Sequence, residues 1–105
     1  MNRETIKIMP DYDCFPLWKI GNKSVENIAP QQLPISDNLK SLILSWQRKF
    51  DLTLNRKDPL ESGFRTHLEE KLFEDEGIII WKQMKIELGD LYDVKYFSVT
   101  RNRIL

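Results

Sequence analysis

The sequence predicts an α+β fold: a small, mainly antiparallel sheet of about three strands with two helices packed on one of its faces. Three observations carry that prediction. The stretch Thr5-Ile6-Lys7-Ile8-Met9 alternates with Ile6 and Ile8 on one side, as a strand with one buried face does. Two longer stretches, 36–50 and 64–88, repeat apolar side chains at helical spacing. Alternation then returns in Tyr92–Val99, with Val94 and Tyr96 on one face and Phe97 and Val99 on the other. At 105 residues the chain is one domain, 1–105, long enough to bury a core of its own.

The elements follow in order. Pro10 ends the first strand, and the segment Met9–Trp18, M-P-D-Y-D-C-F-P-L-W, must bend, because Pro10 and Pro16 donate no ladder hydrogen bonds and push their predecessors toward extended backbone. Phe15–Ile20 is a second short extended piece, closed by the turn signal Gly21-Asn22. Residues 24–35 are too irregular for an element and read as an ordered loop tied down by Ile28, Leu33 and Ile35.

Ser36 opens the first helix as N-cap, and Asp37 sets a negative charge against the positive end of its dipole. Leu39, Leu42, Ile43, Trp46 and Phe50 form its apolar face, and the helix should stop near Phe50–Leu54. Asp58, Pro59 and Glu61 then have the residue types of an N-cap, N1 and N3, while Ser62-Gly63 offers a second helical start.

From Phe64 to Leu88 one helical face collects Phe64, Leu68, Leu72, Ile79 and Ile86, and a second collects Phe73, Ile80, Met84 and Leu88. Such a helix should be covered on two sides. A strand is the rival reading for Ile78–Leu88, because Ile-Ile-Ile-Trp is rich in strand formers. Helix is favoured by the good formers on both sides and by the stop signal Leu88-Gly89, with Gly77 as a possible bend.

Composition narrows the chemistry. The chain has sixteen basic and sixteen acidic residues, yet residues 58–76 carry two basic and seven acidic side chains. That acidic zone is the opposite of the basic face that a nucleic-acid binder gathers. The single cysteine, Cys14, lies among acids, so it reads as a packed thiol rather than a nucleophile, and it suits a reducing compartment. The N-terminus lacks a signal-peptide pattern and no apolar run is long enough to span a bilayer; a cytoplasmic protein is expected.

His67 is the only histidine, which leaves no pair for a two-histidine metal site, and no Gly-rich phosphate loop or Gly-x-Ser-x-Gly elbow occurs. Asp11 and Asp13 remain as candidates for carboxylate chemistry, although two carboxylates without a third ligand are also ordinary turn residues. Glu69, Glu70, Glu74, Asp75 and Glu76 read most simply as a solvated helix surface. The competing reading is a surface that steers a protein inhibitor toward a basic active site. Trp46 reads as core, Trp18 as core with its indole nitrogen bonded to a carbonyl, and Trp81 as half-buried packing or a partner contact.

Read together, I-x-I-M-P-D-Y-D-C-F-P-L-W, N-I-A-P-x-x-L-P-I-S, W-x-x-x-F-D-x-T-L-N, D-P-x-x-S-G-F, F-E-D-E-G and E-L-G-D-x-Y-D-V-x-Y-F resemble a family of small bacterial proteins from polymorphic-toxin and contact-dependent-inhibition loci. The resemblance covers nearly the whole chain. It implies a non-enzymatic immunity protein that binds the C-terminal domain of a cognate secreted toxin, often a nuclease, as a monomer in a one-to-one complex. No cofactor, metal, nucleic acid or membrane enters that expectation. The partner contact is expected at Asp11, Tyr12 and Asp13, at Glu69, Glu70, Glu74, Asp75 and Glu76, and at Trp81. The alternatives from other classes are a small enzyme using Asp11 and Asp13, with His67 in support, and a regulatory interaction module.

Overall fold

In the computed structural model, which describes residues 3–105, five strands and two helices follow one another. They are β1 (Thr5–Ile8), β2 (Leu17–Ile20), β3 (Val25–Asn27), α1 (Asp37–Asp51), α2 (His67–Leu88), β4 (Asp93–Ser98) and β5 (Arg103–Ile104). The strands form one sheet in the order β3-β2-β1-β4-β5. β1 and β4 are parallel, with Thr5 opposite Asp93 and Ile8 opposite Tyr96, and every other pairing is antiparallel. The predicted α+β class and the two helices stand, with five strands in place of about three.

β3 and β5 are the additions. β3 falls in the stretch expected to be an irregular loop, where Gly21 N–H bonds the Ser24 carbonyl and closes a hairpin. Asn27 anchors it: its amide donates to the carbonyls of Phe15 and Leu17, and its Oδ1 accepts from Phe15 N–H. All residues of β3 and β5 are exposed, so neither strand has the buried-face alternation by which a sequence announces one.

The buried side of the sheet is made by Ile6, Ile8, Leu17, Val94 and Tyr96, and both helices cover it. The other side carries Lys7 and Lys95, opposite one another, together with Trp18, whose indole N–H donates to the Met9 carbonyl at 2.9 Å. α1 begins as expected, the Ser36 hydroxyl accepting from Leu39 N–H, and the Glu87 carboxylate from the far end of α2 accepts from Ser36 N–H. Its inner face is Leu39, Ile43 and Trp46; Leu42 is exposed instead. The Trp46 ring stacks on Phe73 at 4.5 Å and its indole N–H donates to the Phe73 carbonyl, which fixes α1 to α2.

α2 starts later than either sequence signal. Pro59–Glu61 is a single 3-10 turn, and the N-cap is Thr66, whose hydroxyl accepts from Glu69 N–H while the Glu69 carboxylate accepts from Arg65 N–H. The helix then runs unbroken to Leu88, with Gly89 as C-cap. Gly77 does not interrupt it. A Cβ there would lie 2.6 Å from Trp46 Cζ2 and would also meet the Tyr96 hydroxyl, so glycine serves the close approach of α2 to α1 and the sheet.

The largest departure concerns the two apolar faces of α2. Phe73, Ile80, Met84 and Leu88 are buried, as expected. Leu68, Leu72, Ile79 and Ile86, expected to be covered as well, are exposed.

Candidate functional site

The residues singled out in the sequence separate into three groups, and only one of them surrounds a concavity. That group gathers at the C-terminal end of α1. The Met9–Trp18 turn is closed by Met9 N–H bonding the Pro16 carbonyl, and Pro10 and Pro16 are buried, so the tip is projected from a fixed base. Tyr12 stacks on Phe50 at 4.6 Å, and its hydroxyl lies 3.1 Å from Thr53 Oγ1. Asp13 sits in the left-handed region with φ 59°, a position that Asp tolerates better than most side chains, where its N–H donates to Asp51. Its carboxylate takes Arg56 at 2.9 Å. Hydrogen bonding from Arg56, and then its charge, holds the Asp13 carboxyl below its ordinary value.

Cys14 is pushed the other way. Burial raises its thiol, and Asp11, Asp13 and Asp51 raise it further, which disfavours the thiolate form. Among the described residues no cluster of three or more metal-ligating side chains forms. Asp11 accepts from Tyr12 N–H while Asp13 is turned to Arg56, so the two carboxylates serve the turn and its dock on the loop that follows α1.

Beside Thr53 opens a groove of about 820 Å³ between the end of α1, the 52–65 loop and the first half of α2. Leu52, Phe64, Leu72 and Phe73 give it an apolar lining, and Lys49, Arg65, Glu69 and Glu76 give it charge. Lys49 and Glu76 bridge the two helices at 2.6 Å. Thr53 therefore belongs to both the turn and the groove, which makes Asp11, Tyr12, Asp13, Glu69 and Glu76 one neighbourhood.

Glu74 is the clear correction. It points inward instead of into solvent, and its carboxylate accepts from the Tyr96 and Ser98 hydroxyls and from Thr100 N–H. Burial pushes its carboxyl up, but the bonds from Ser98, Tyr96 and Thr100 together outweigh that and hold it below the ordinary 4.5. The same contact, after burial, raises the Tyr96 phenol. Glu74 thus fastens α2 to the end of β4. A local sequence pattern gives no sign of this, since the partners lie more than twenty residues away.

The remaining residues face elsewhere. Asp75 projects from the outer side of α2 and pairs with Lys71 at 2.8 Å. Glu70 falls on the same side of the helix as Glu74 by the 100° advance per residue, away from the groove. Trp81 is half-buried in the seam between helix and sheet: its indole N–H donates to the Val94 carbonyl, one face stacks on Tyr96, and the Lys85 ammonium lies 4.1 Å from its ring centre. Sequence reasoning missed Leu52, Thr53 and Arg56, which sit just past the helix end; Thr53 and Arg56 have partners on the turn that are remote in sequence, and Leu52 lines the groove.

A family model matches residues 4–99, from the strand β1 through β4. The chain belongs to the Serratia CdiI immunity protein-like family. That membership makes it an immunity-type protein of contact-dependent inhibition, with a toxin as counterpart. No curated protein matches it significantly. The CdiI-like fold has no helix among its described residues that is long and apolar enough to cross a membrane.

Proposed function

We propose that this chain protects a bacterial cell by binding the C-terminal domain of a cognate secreted toxin in the cytoplasm, one toxin domain per chain, and covering its active site or substrate groove without catalysing any reaction. The observation that carries the reading is the family match across nearly the whole chain. A nuclease is the toxin type that best suits acidic side chains beside aromatic ones, because a site that holds phosphates is basic.

The contact is best supplied by the groove and the turn beside it, with Glu69 and Glu76 for charge, Asp11 and Asp13 at the turn and Tyr12 as the aromatic anchor. Glu70, Asp75 and Trp81 lie on other sides of α2 and would join only a toxin that wraps the helix. Glu74 supports the surface from inside.

Co-expression with the C-terminal domain encoded by the adjacent toxin gene, read by pull-down and growth, tests the function; no rescue and no complex would sink it. Replacing Glu69 and Glu76 with lysine tests the site. Association should slow and lose part of its salt dependence, since charges at a rim act chiefly on the on-rate. Unchanged association kinetics would move the contact elsewhere.

A further inference from the structure

The exposed face of α2 carries a line of four large aliphatic side chains. Leu68, Leu72, Ile79 and Ile86 are 64%, 57%, 60% and 76% exposed. At 100° per residue they fall within about 40° of one another and extend along roughly 27 Å of helix. Leu72, Ile79 and Ile86 stand seven residues apart, the spacing by which one helix keeps a seam facing another. Leaving four large aliphatic side chains in water on one line is costly, and an aligned set of this kind, rimmed by polar residues, is what an interaction surface presents.

The charges beside the stripe identify what fits it. Asp75 and Lys82 both lie on one border, and Glu76 and Gln83 on the other. When two identical helices pack antiparallel about a two-fold axis, each border meets the same border of the other copy, and residue i meets j wherever j meets i. With the axis at Ile79, Ile79 meets its own copy and Leu72 meets Ile86 of the second copy, twice. Asp75 then falls opposite Lys82 of the second copy, also twice, and Glu76 opposite Gln83. Neither of these pairings brings like charges together. Asp75 already holds Lys71 through Oδ2, leaving Oδ1 for a second cation, and Lys82 has no acidic partner among the described residues.

We infer that this face of α2 is the interface of a symmetric homodimer, formed by antiparallel packing of α2 on α2 of a second copy, with the aliphatic stripe as its core and the Asp75–Lys82 pairs fixing its register. The inference rests on a different observation from the toxin contact, although the two surfaces share Leu72 and Glu76, and it replaces the monomer expected from the sequence. Leu72 is where the stripe meets the groove, so the second copy ends beside the proposed toxin site.

Light scattering on the eluting free chain, over a range of concentrations, reads the mass directly. A concentration-dependent shift toward twice 12.5 kDa is expected. Ile79→Glu places two carboxylates face to face on the axis and should weaken self-association by roughly a hundredfold, while leaving the circular dichroism unchanged and, at concentrations where the wild type is monomeric, the melting as well. Asp75→Lys and Lys82→Asp alone should each weaken it about tenfold or more, by setting like charges opposite one another at two places. Combining them should restore the dimer, a rescue that only self-pairing in this register gives. A wild-type chain that stays at 12.5 kDa at the highest attainable concentration overturns the inference, as does failure of the charge-swapped double variant to recover. Loss of toxin binding in Ile79→Glu with a monomeric wild type would assign the stripe to the toxin and overturn it equally.

Discussion

Along α2, Phe73, Ile80, Met84 and Leu88 sit beneath α1 and the sheet with at most 3% of their surface exposed, while Leu68, Leu72, Ile79 and Ile86 leave more than half of theirs in water. The two sets have nearly the same composition and come from one helix. What separates them is the neighbour each side can obtain. On the inner side Gly77 lets the helix backbone approach Trp46 and Tyr96, and the Glu74 carboxylate draws the end of β4 against it. On the outer side this chain supplies no second layer. Burial in one chain therefore follows from the topology around a residue at least as much as from its hydrophobicity.

Paired substitutions would break that contrast if it were false. Ile80→Ala should cost about 2–5 kcal/mol in denaturant unfolding of the chain, because a fully buried side chain leaves a cavity. Ile79→Ala, one residue away, should stay within about 0.5 kcal/mol under conditions where the chain is monomeric. Equal losses would mean that something already covers the outer face. Gly77→Ala should destabilise by about 1–3 kcal/mol through overpacking against Trp46, although alanine is the better helix former. A raised melting temperature would show that the approach at Gly77 has room to spare.

Glu74→Gln sharpens the comparison on its polar side and should cost about 1–2 kcal/mol at neutral pH, since one carboxylate oxygen becomes a donor facing a donor. The folded carboxyl lies below its ordinary value, so the stability it supplies is complete above pH 4.5 and is lost as the pH falls through the lower folded value. The gap between wild type and variant should accordingly close in acid. A gap that widened there would mean that Glu74 is protonated in the folded chain.

Much of the fold is legible in local pattern. Ser36 and Asp37 mark the start of α1, Trp46 its buried centre, and the doubly apolar stretch to Leu88 is a helix despite Ile78-Ile79-Ile80. β1 and β4 show themselves through alternation, and β2 through the Pro16 and Gly21-Asn22 signals that bound it. β3 and β5 do not, because both faces of each are wet. The Asp58-Pro59-x-Glu61 signature is a genuine turn start, but the chain leaves it after one turn and begins α2 at Thr66.

The candidate site was less legible. Five acids within eight residues look alike in a sequence, yet Glu74 bonds β4, Glu76 bonds α1 and Asp75 bonds its own helix, according to where 100° per residue aims each. The turn reaches the edge of the groove through the Tyr12–Thr53 and Asp13–Arg56 contacts, which join segments some forty residues apart.

The parallel pairing of β1 with β4 places residues from the two ends of the chain at the middle of the sheet. While the chain is being synthesised, β1 and β2 can meet early, but the apolar face of Ile6 and Ile8 lacks its central neighbour until β4 has been made. An emerging chain cut short of Asp93 keeps an open strand edge, and closure of the sheet waits on the slowest kind of contact, one between distant segments. Any surface that the closed sheet supports is therefore offered only by chains in which β4 has already been made.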